Sequence, residues 1–356
     1  MKGKRMMLCL LGGMMLCSGC AARREQAQQM LQQQKEEDRY DSMTLAMDTV
    51  INTTIYDERG EELLLEVEQE IQRLEGLFSV TKADSDISKL NANAGKEETA
   101  LSEETYALLK TSKEISTETG GSFDITISPV VKLWGFTEEE HHVPSQTEID
   151  QAMALVDEDQ LLMEENNTAY LEEEGMAVDL GAIAKGYASD VVADLLRQEG
   201  VESALISLGG NLACIGTKPD GSLWEAALAN PLDETDYVGL FQVSDCFLIT
   251  SGGYQRYFEQ DGKRYHHIID PDTGYPAESG LLSVTILSED GTKADALSTA
   301  LFVMGLDRAL DFWRNSDDFE AVLITEDGRV IATEGAAAVF SFEGRDNDFT
   351  YETVNR

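Results

Sequence analysis

Positive charge is scarce in this chain of 356 residues: 27 Lys and Arg stand against 67 Asp and Glu, a formal net charge of −40. Nucleic-acid binding relies on Lys and Arg to neutralise phosphates, so a general DNA- or RNA-binding role is excluded. Cysteine is scarce too: of five residues, Cys9, Cys17 and Cys20 fall in the first twenty positions, leaving Cys214 and Cys246. Two are too few for a cysteine metal cluster, and they suit one disulfide or two buried thiols equally well. There is no internal repeat and no long low-complexity stretch inside the folded part. Hydrophobic residues at 42% still supply a sizeable core and exclude wholesale disorder. At roughly 100–200 residues per domain, the length suits two domains or one large one. What remains is a soluble acidic protein acting on small molecules, with or without a metal.

The N-terminus reads as a secretory signal. Lys2, Lys4 and Arg5 form a basic start, Met6 to Leu16 is apolar but too short for a membrane span, and Cys17-Ser18-Gly19-Cys20 follows. Ser-Gly-Cys resembles a bacterial lipobox, although Cys17 stands where Leu, Val or Ala is usual. That resemblance implies a lipoprotein signal over residues 1–19 and cleavage before Cys20. It also implies lipidation of that thiol and anchoring to the extracytoplasmic face of the cell membrane. A plain signal peptide with an incidental cysteine is the alternative. Residues 20–42 are rich in Gln, Glu, Lys and Arg, cannot bury enough to offset their ordering entropy, and read as a flexible tether. One large folded unit is expected over residues 43–340, followed by a C-terminal tail over 341–356.

Met47 to Tyr56 alternates and is rich in Thr, Val and Ile, which predicts a strand. Leu64, Val67, Ile71, Leu74 and Phe78 recur at spacings of three and four, which predicts an amphipathic helix over 61–78. Ser102, ahead of Glu103 and Glu104, opens a helix running to about Thr119 before Gly120-Gly121. Further helices are expected over Ala182 to Glu199, closed by Gly200, and over Ala294 to Met304, ended by Gly305. Apolar β-branched stretches at 204–208, 247–250, 265–269 and 281–287 predict strands, and 321–325 and 330–333 flank Asp327-Gly328 as a hairpin. Strands and helices interleave without a βαβ rhythm, so the expected class is α+β, with a mixed sheet and helices.

Several loops are candidates for chemistry. Asp179-Leu180-Gly181-Ala182-Ile183-Ala184-Lys185-Gly186 opens a helix, where backbone N–H groups and Lys185 favour an anion. An ordinary strand-to-helix turn would look the same, and the Gly-Lys-Ser/Thr order of a Walker A loop is absent. Leu208-Gly209-Gly210-Asn211 suits either a tight turn or a close backbone approach to a ligand. Thr250-Ser251-Gly252-Gly253-Tyr254-Gln255-Arg256 adds a ring and a guanidinium able to stack or to pair with phosphate. Asp295 and Thr299 share a helix face with Ser298 close by, a hard-oxygen set that suits Mg²⁺ as it also suits a solvated or capping Asp. His266 and His267 are adjacent on a strand and point to opposite faces, which disfavours zinc binding by the pair. One of them is a candidate acid or base near neutral pH.

Taken in order, these blocks resemble one family. The series runs from Phe123-Asp124-Ile-Thr-Ile-Ser-Pro129 and Trp134-Gly135-Phe136 to Asp179–Ala188 and Ser207-Leu-Gly-Gly-Asn211. It continues with Thr250 to Arg256, His267-Ile-Ile-Asp-Pro-Asp-Thr-Gly274 and Ala294-Asp-Ala-Leu-Ser-Thr-Ala300. All are similar to motifs of the ApbE family, the FAD:protein FMN transferases, over the span from about Ala46 to about residue 333. Many family members are lipoproteins on the outer face of the cytoplasmic membrane, in keeping with the lipobox reading.

The resemblance implies an ApbE-like, T-fold-like mixed sheet and a specific reaction. FAD is bound, its diphosphate is cleaved, FMN is attached to a Thr (or Ser) hydroxyl of a target protein, and AMP leaves. It implies Mg²⁺ held by Asp295, Thr299 and the carbonyl of Ala182, with Ser298 standing where some relatives carry a second carboxylate. FAD contacts map onto Met47, Thr81, Ser122, Phe123, Asp124, Asp179, Lys185, Arg256 and Ile269. His267 maps onto activation of the acceptor hydroxyl, a structural bond to the Asp270 turn being its alternative. Mg²⁺ with Lys185 and Arg256 would let so acidic a chain hold a diphosphate. Two departures stand out: Thr81 where relatives often have Tyr, and Met47-Asp48-Thr49 for the commoner Met-Gly-Thr. The partners implied are flavoprotein subunits of Rnf-type or sodium-pumping NADH:quinone oxidoreductase complexes, or FMN-binding-domain proteins. The acceptor motif is absent from this chain, so self-flavinylation is not expected. The rival readings are a Mg²⁺-dependent FAD pyrophosphatase and a non-catalytic flavin-binding lipoprotein.

Overall fold

A computed structural model describes residues 38–136 and 141–356. The signal peptide, Cys20 and the tether as far as residue 37 lie outside the described residues. In chain order the first half holds β1 (Arg39–Ala46), β2 (Thr49–Tyr56), α1 (Gly60–Phe78), α2 (Asp86–Ala92), β3 (Thr99–Ala100) and α3 (Glu103–Thr119). Then come α4 (Ser128–Leu133), α5 (Gln146–Met153), β4 (Leu161–Glu164), β5 (Thr168–Leu171) and α6 (Ala184–Gln198). The second half runs through β6 (Ser203–Leu208), β7 (Asn211–Gly216), β8 (Trp224–Asn230), β9 (Asp233–Val243), β10 (Cys246–Gly252), β11 (Tyr257–Gln260) and β12 (Lys263–His266). It ends with β13 (Leu281–Ser288), α7 (Gly291–Arg314), β14 (Phe319–Thr325), β15 (Arg329–Thr333), α8 (Glu334–Val339), β16 (Phe340–Phe342) and β17 (Thr350–Val354).

Nine strands form one sheet in the order β1-β2-β6-β7-β10-β13-β14-β15-β17, antiparallel at every step except the parallel pair β15–β17. The mixed sheet with interleaved helices is the α+β class expected from sequence. Helices α1, α3, α6 and α7 bury Leu63, Val67, Ile71, Leu74, Leu108, Ile115, Val192, Leu196, Leu297 and Leu301 with inward residues of the sheet, such as Ile51, Ile206 and Ile286, in the main core. A three-stranded sheet, β16-β9-β8, packs Trp224, Phe241 and Phe340 with Leu248 and Val322 of the main sheet in a second core. A third cluster around Trp134 holds Val130, Phe136, Ile149 and Ile269. Among the described residues no helix is long and apolar enough to cross a membrane.

Local chemistry explains most elements. Ser102 caps α3, its hydroxyl accepting from Thr105 N–H. Three boundaries differ from the sequence reading. The strand expected from Met47 starts at Thr49, because Met47 and Asp48 form a two-residue turn with φ of 51° and 58°. The partner strand β1 reaches back to Arg39, into residues assigned to the tether. The stretch 341–356 is no free tail: β17 pairs with β15, Phe349 is buried, and Tyr351 stacks on Phe342 with ring centroids 5.2 Å apart. Gly305, at φ 75° and ψ 172°, breaks α7 where the sequence places the helix end, and a second helical segment burying Ala309, Leu310 and Trp313 follows to Arg314.

Candidate active site

The site is built where α6 meets α7. A Cβ on Gly186 would lie 2.2 Å from Gly291 O and 2.5 Å from Asp295 Cβ, so only glycine lets the two helices approach this closely. At that approach Gly186 N–H donates to Asp295 Oδ2 over 2.8 Å. Gly186 lies in the first turn of α6, where a backbone N–H has no intrahelical acceptor, and Asp295 supplies one. Asp295 itself is only 3% exposed.

Strand β10 supplies the second wall. Ser298 Oγ donates to Asp295 O at 2.8 Å, and Ser251 Oγ lies 2.7 Å from Ser298 Oγ and 3.1 Å from Thr299 Oγ1. Each hydroxyl has one proton, and the proton of Ser298 goes to the carbonyl. Ser251 therefore donates to Ser298 and Thr299 donates to Ser251, which leaves the lone pairs of Thr299 Oγ1 free. Ser298 is fully buried, its proton committed to Asp295 O, and it braces the helix between Asp295 and Thr299. Among the described residues no three His, Cys, Asp or Glu converge as a metal cluster. A cation here would lean on one carboxylate, one hydroxyl and one carbonyl. That hard-oxygen set fits Mg²⁺, which keeps several waters and takes one or two carboxylates with substrate phosphates.

Two cations flank this wall. Lys185 Nζ donates to Gly181 O at 3.0 Å, and the guanidinium of Arg256 is ion-paired with Asp48 in the β1–β2 turn. Both act electrostatically on Asp179, whose N–H donates to Ile125 O at 2.9 Å and whose Oδ1 accepts from Gly181 N–H at 2.8 Å. Burial raises the Asp179 pKa, and the Gly181 bond, Lys185 and Arg256 work against that rise. His267 joins the same group. Its N–H and its Nδ1 both lie 3.1 Å from Arg256 O, not on the Asp270 turn. A carbonyl only accepts, so Nδ1 carries the proton and Nε2 is left as a base. Burial, with Arg256 and Lys185 nearby, pushes its pKa down to about 4 and keeps the ring neutral at pH 7. Trp134 steadies the loop that follows, donating from Nε1 to Gly274 O at 2.9 Å.

The remaining candidates occupy the rim. Met47 N–H donates to Glu75 Oε1 at 3.0 Å, and the other oxygen of Glu75 pairs with Lys82, so one carboxylate ties the Met47 turn to the loop carrying Thr81. Thr81 is exposed, its hydroxyl 3.0 Å from Ser79 Oγ. Ser122 Oγ accepts from Arg308 at 3.0 Å. Asp124 Oδ1 accepts from Thr126 N–H and Oγ1–H at 2.7 and 2.6 Å, and burial raises its pKa. The side chains of Phe123 and Ile269 lie in hydrophobic cores, so these two can face a ligand only through their backbone. His266 points the other way, edge-on to Phe302, and lines a cavity of about 320 Å³ with Tyr254, Tyr265 and Tyr275.

Fold and site together define an α+β protein in which Asp295 and Thr299 of α7 meet Gly186 of α6 and Ser251 of β10, with Lys185 and Arg256 both acting on the nearby Asp179. The sequence pattern described as "ApbE family" matches residues 47–323, and the chain belongs to the ApbE family. It is a transferase by that membership. An FAD:protein FMN transferase of Klebsiella pneumoniae (strain 342) is 37% identical over 283 residues, 79% of this chain and 88% of the relative. One from Treponema pallidum (strain Nichols) is 34% identical over 315 residues, 83% of this chain and 87% of the relative. The crystal structure of the ApbE protein of Thermotoga maritima MSB8 superposes with a TM-score of 0.79 at 34% identity, over 85% of this chain and 99% of that one. The flavin transferase ApbE of Vibrio cholerae gives 0.74 at 31%, over 81% and 94%.

The sequence names Gly186 and Ser251 only as members of their loops, and gives no sign of Glu75 or Arg308. Ser251 was within reach, since alternation along β10 puts its side chain toward α7. Arg308 carries no local signal, because it meets Ser122 only through the bend at Gly305.

Proposed function

We propose that this protein is a Mg²⁺-dependent FAD:protein FMN transferase, acting on a Thr or Ser hydroxyl of an acceptor protein outside the cytoplasm and releasing AMP. The observation that supports this reading is the contact in which Gly186 N–H holds one oxygen of Asp295 while Ser251 Oγ lies against Thr299 Oγ1. The other oxygen of that carboxylate, the Thr299 hydroxyl and the Ala182 carbonyl are the groups proposed for the metal. These three groups would hold Mg²⁺, which would supply positive charge to offset that of the diphosphate. Lys185 and Arg256 attract the diphosphate, and the start of α6 adds its N–H groups. His267 accepts the acceptor hydroxyl's proton at Nε2 while Arg256 O holds its Nδ1–H. That hydroxyl oxygen bonds to the phosphorus of the FMN half, the diphosphate bridge breaks, and AMP leaves. A lipid on Cys20 and the segment between it and β1 would hold the enzyme beside membrane-bound acceptors, such as subunits of Rnf-type or sodium-pumping NADH:quinone oxidoreductases or FMN-binding-domain proteins.

The test is AMP release from FAD by the full chain, with and without an FMN-binding-domain acceptor and with and without EDTA. Release that needs both metal and acceptor is expected. Equal release without acceptor would mean that water is the nucleophile, as in a pyrophosphatase. FAD that is bound and left intact would mean a carrier.

A further inference from the structure

The chain leaves the main sheet at Gly216, builds β8 and β9 over its outer face, and returns at Cys246. At the neck of this excursion Cys246 stands directly opposite Cys214 in the β7–β10 register, and both are free thiols. Directly opposed antiparallel residues have Cα atoms about 4.5 or 5.5 Å apart, and both values fall inside the roughly 4.4–6.8 Å that a disulfide spans. Opposed side chains share a face of the sheet, and here both touch the second core. Cys214 is 1% exposed, whereas Cys246 is only half-buried, so one member of the pair meets solvent. A hydrogen bond from Cys214 holds the Cys246 pKa below that of an ordinary thiol, and the reachable sulfur is therefore the better thiolate. Asp245 closes the same neck, its Oδ1 accepting from Gly216 N–H at 2.7 Å.

We infer that Cys214 and Cys246 form a redox latch, a cross-strand disulfide that staples the base of the β8–β9 hairpin to the main sheet. The oxidant is an external disulfide of the glutathione type. The Cys246 thiolate attacks one of its sulfurs and expels one thiolate, giving a mixed disulfide. Cys214 loses its proton to solvent, attacks Cys246 Sγ and expels the second thiolate. Two protein thiols are oxidised, and one external disulfide is reduced to two thiols. Closure constrains the unfolded chain and leaves the strand register as it is, so resistance to heat rises and catalysis does not change.

The test uses the full chain, fully reduced and then incubated with oxidised glutathione at neutral pH. Digestion without reduction should give one cross-linked peptide pair containing Cys214 and Cys246, lost on adding dithiothreitol. The melting temperature should rise by about 5 °C over the reduced protein, a shift missing in Cys246→Ser. If both cysteines stay alkylatable, or if Cys246 keeps its glutathione without resolving to Cys214, the latch does not exist. The peptide map is read on the unsubstituted chain, so it decides the matter even if the variant fails to fold.

Discussion

On the proposed function Asp295 and His267 do different work, and each can be removed alone. Asp295→Ala leaves Lys185, Arg256 and the α6 start in place, so flavin binding should persist while turnover falls by at least about 10²–10³-fold, on the scale of losing a charge-stabilising group. Isothermal titration with FAD, beside AMP release, separates the two. For His267 the prediction concerns pH. An unfolded imidazole titrates near 6.5, whereas the buried ring titrates at about 4. As pH falls from 6.5 toward 4 the unfolded chain takes up a proton that the folded chain refuses, so stability declines across that window. The base at Nε2 stays available through it, so the acid limb of kcat/KM should lie nearer 4 than 6.5. His267→Gln should remove the limb and cost about 10²–10⁴-fold in transfer. A limb at 6.5 in the unsubstituted enzyme would contradict the burial that lowers the pKa of this ring. The motif letters made these two residues visible in advance. They did not reveal that Ser298 braces the wall, since that depends on which hydroxyl donates to which.

The decisive element is the α6–α7 contact at Gly186. Adding a methyl group there meets the Gly291 carbonyl, which is backbone and cannot swing aside. Gly186→Ala should cost about 1–3 kcal/mol of stability and lower turnover as well, because Asp295 loses the N–H that orients it. Urea denaturation beside AMP release checks both; an unchanged rate would mean that the contact does not shape the site. Helices were legible where apolar residues repeat at three and four, as in α1, and where caps mark their ends, as with Ser102. Strands β1, β8, β9 and β17 were not. β1 carries exposed Met43 and Leu45, so it lacks a clean buried face. β17 earns its place only by pairing with β15, a contact no local pattern announces. The break at Gly305 was legible from the glycine itself, whereas the helical segment that follows it to Arg314 was not.

Across the whole molecule, the closing segment is part of the fold. Phe349→Ala empties a site in the second core and should cost about 3–5 kcal/mol, read as a drop in the denaturant midpoint with no change in flavin specificity. An unshifted midpoint would mean that residues 341–356 behave as the tail the sequence suggested. At a net charge of −40, the molecule as a whole repels a diphosphate. On the proposed function the anion affinity therefore rests on Lys185, Arg256, the α6 start and a metal on Asp295 and Thr299. That makes metal removal the sharpest lever on the central claim. The intact mass of an FMN-binding-domain acceptor should be recorded after incubation with the full chain and FAD, with Mg²⁺ or with EDTA. The account predicts the gain of one FMN with Mg²⁺, none with EDTA, and none when the acceptor's target Thr is replaced by Ala. An acceptor of unchanged mass beside accumulating FMN and AMP would contradict it.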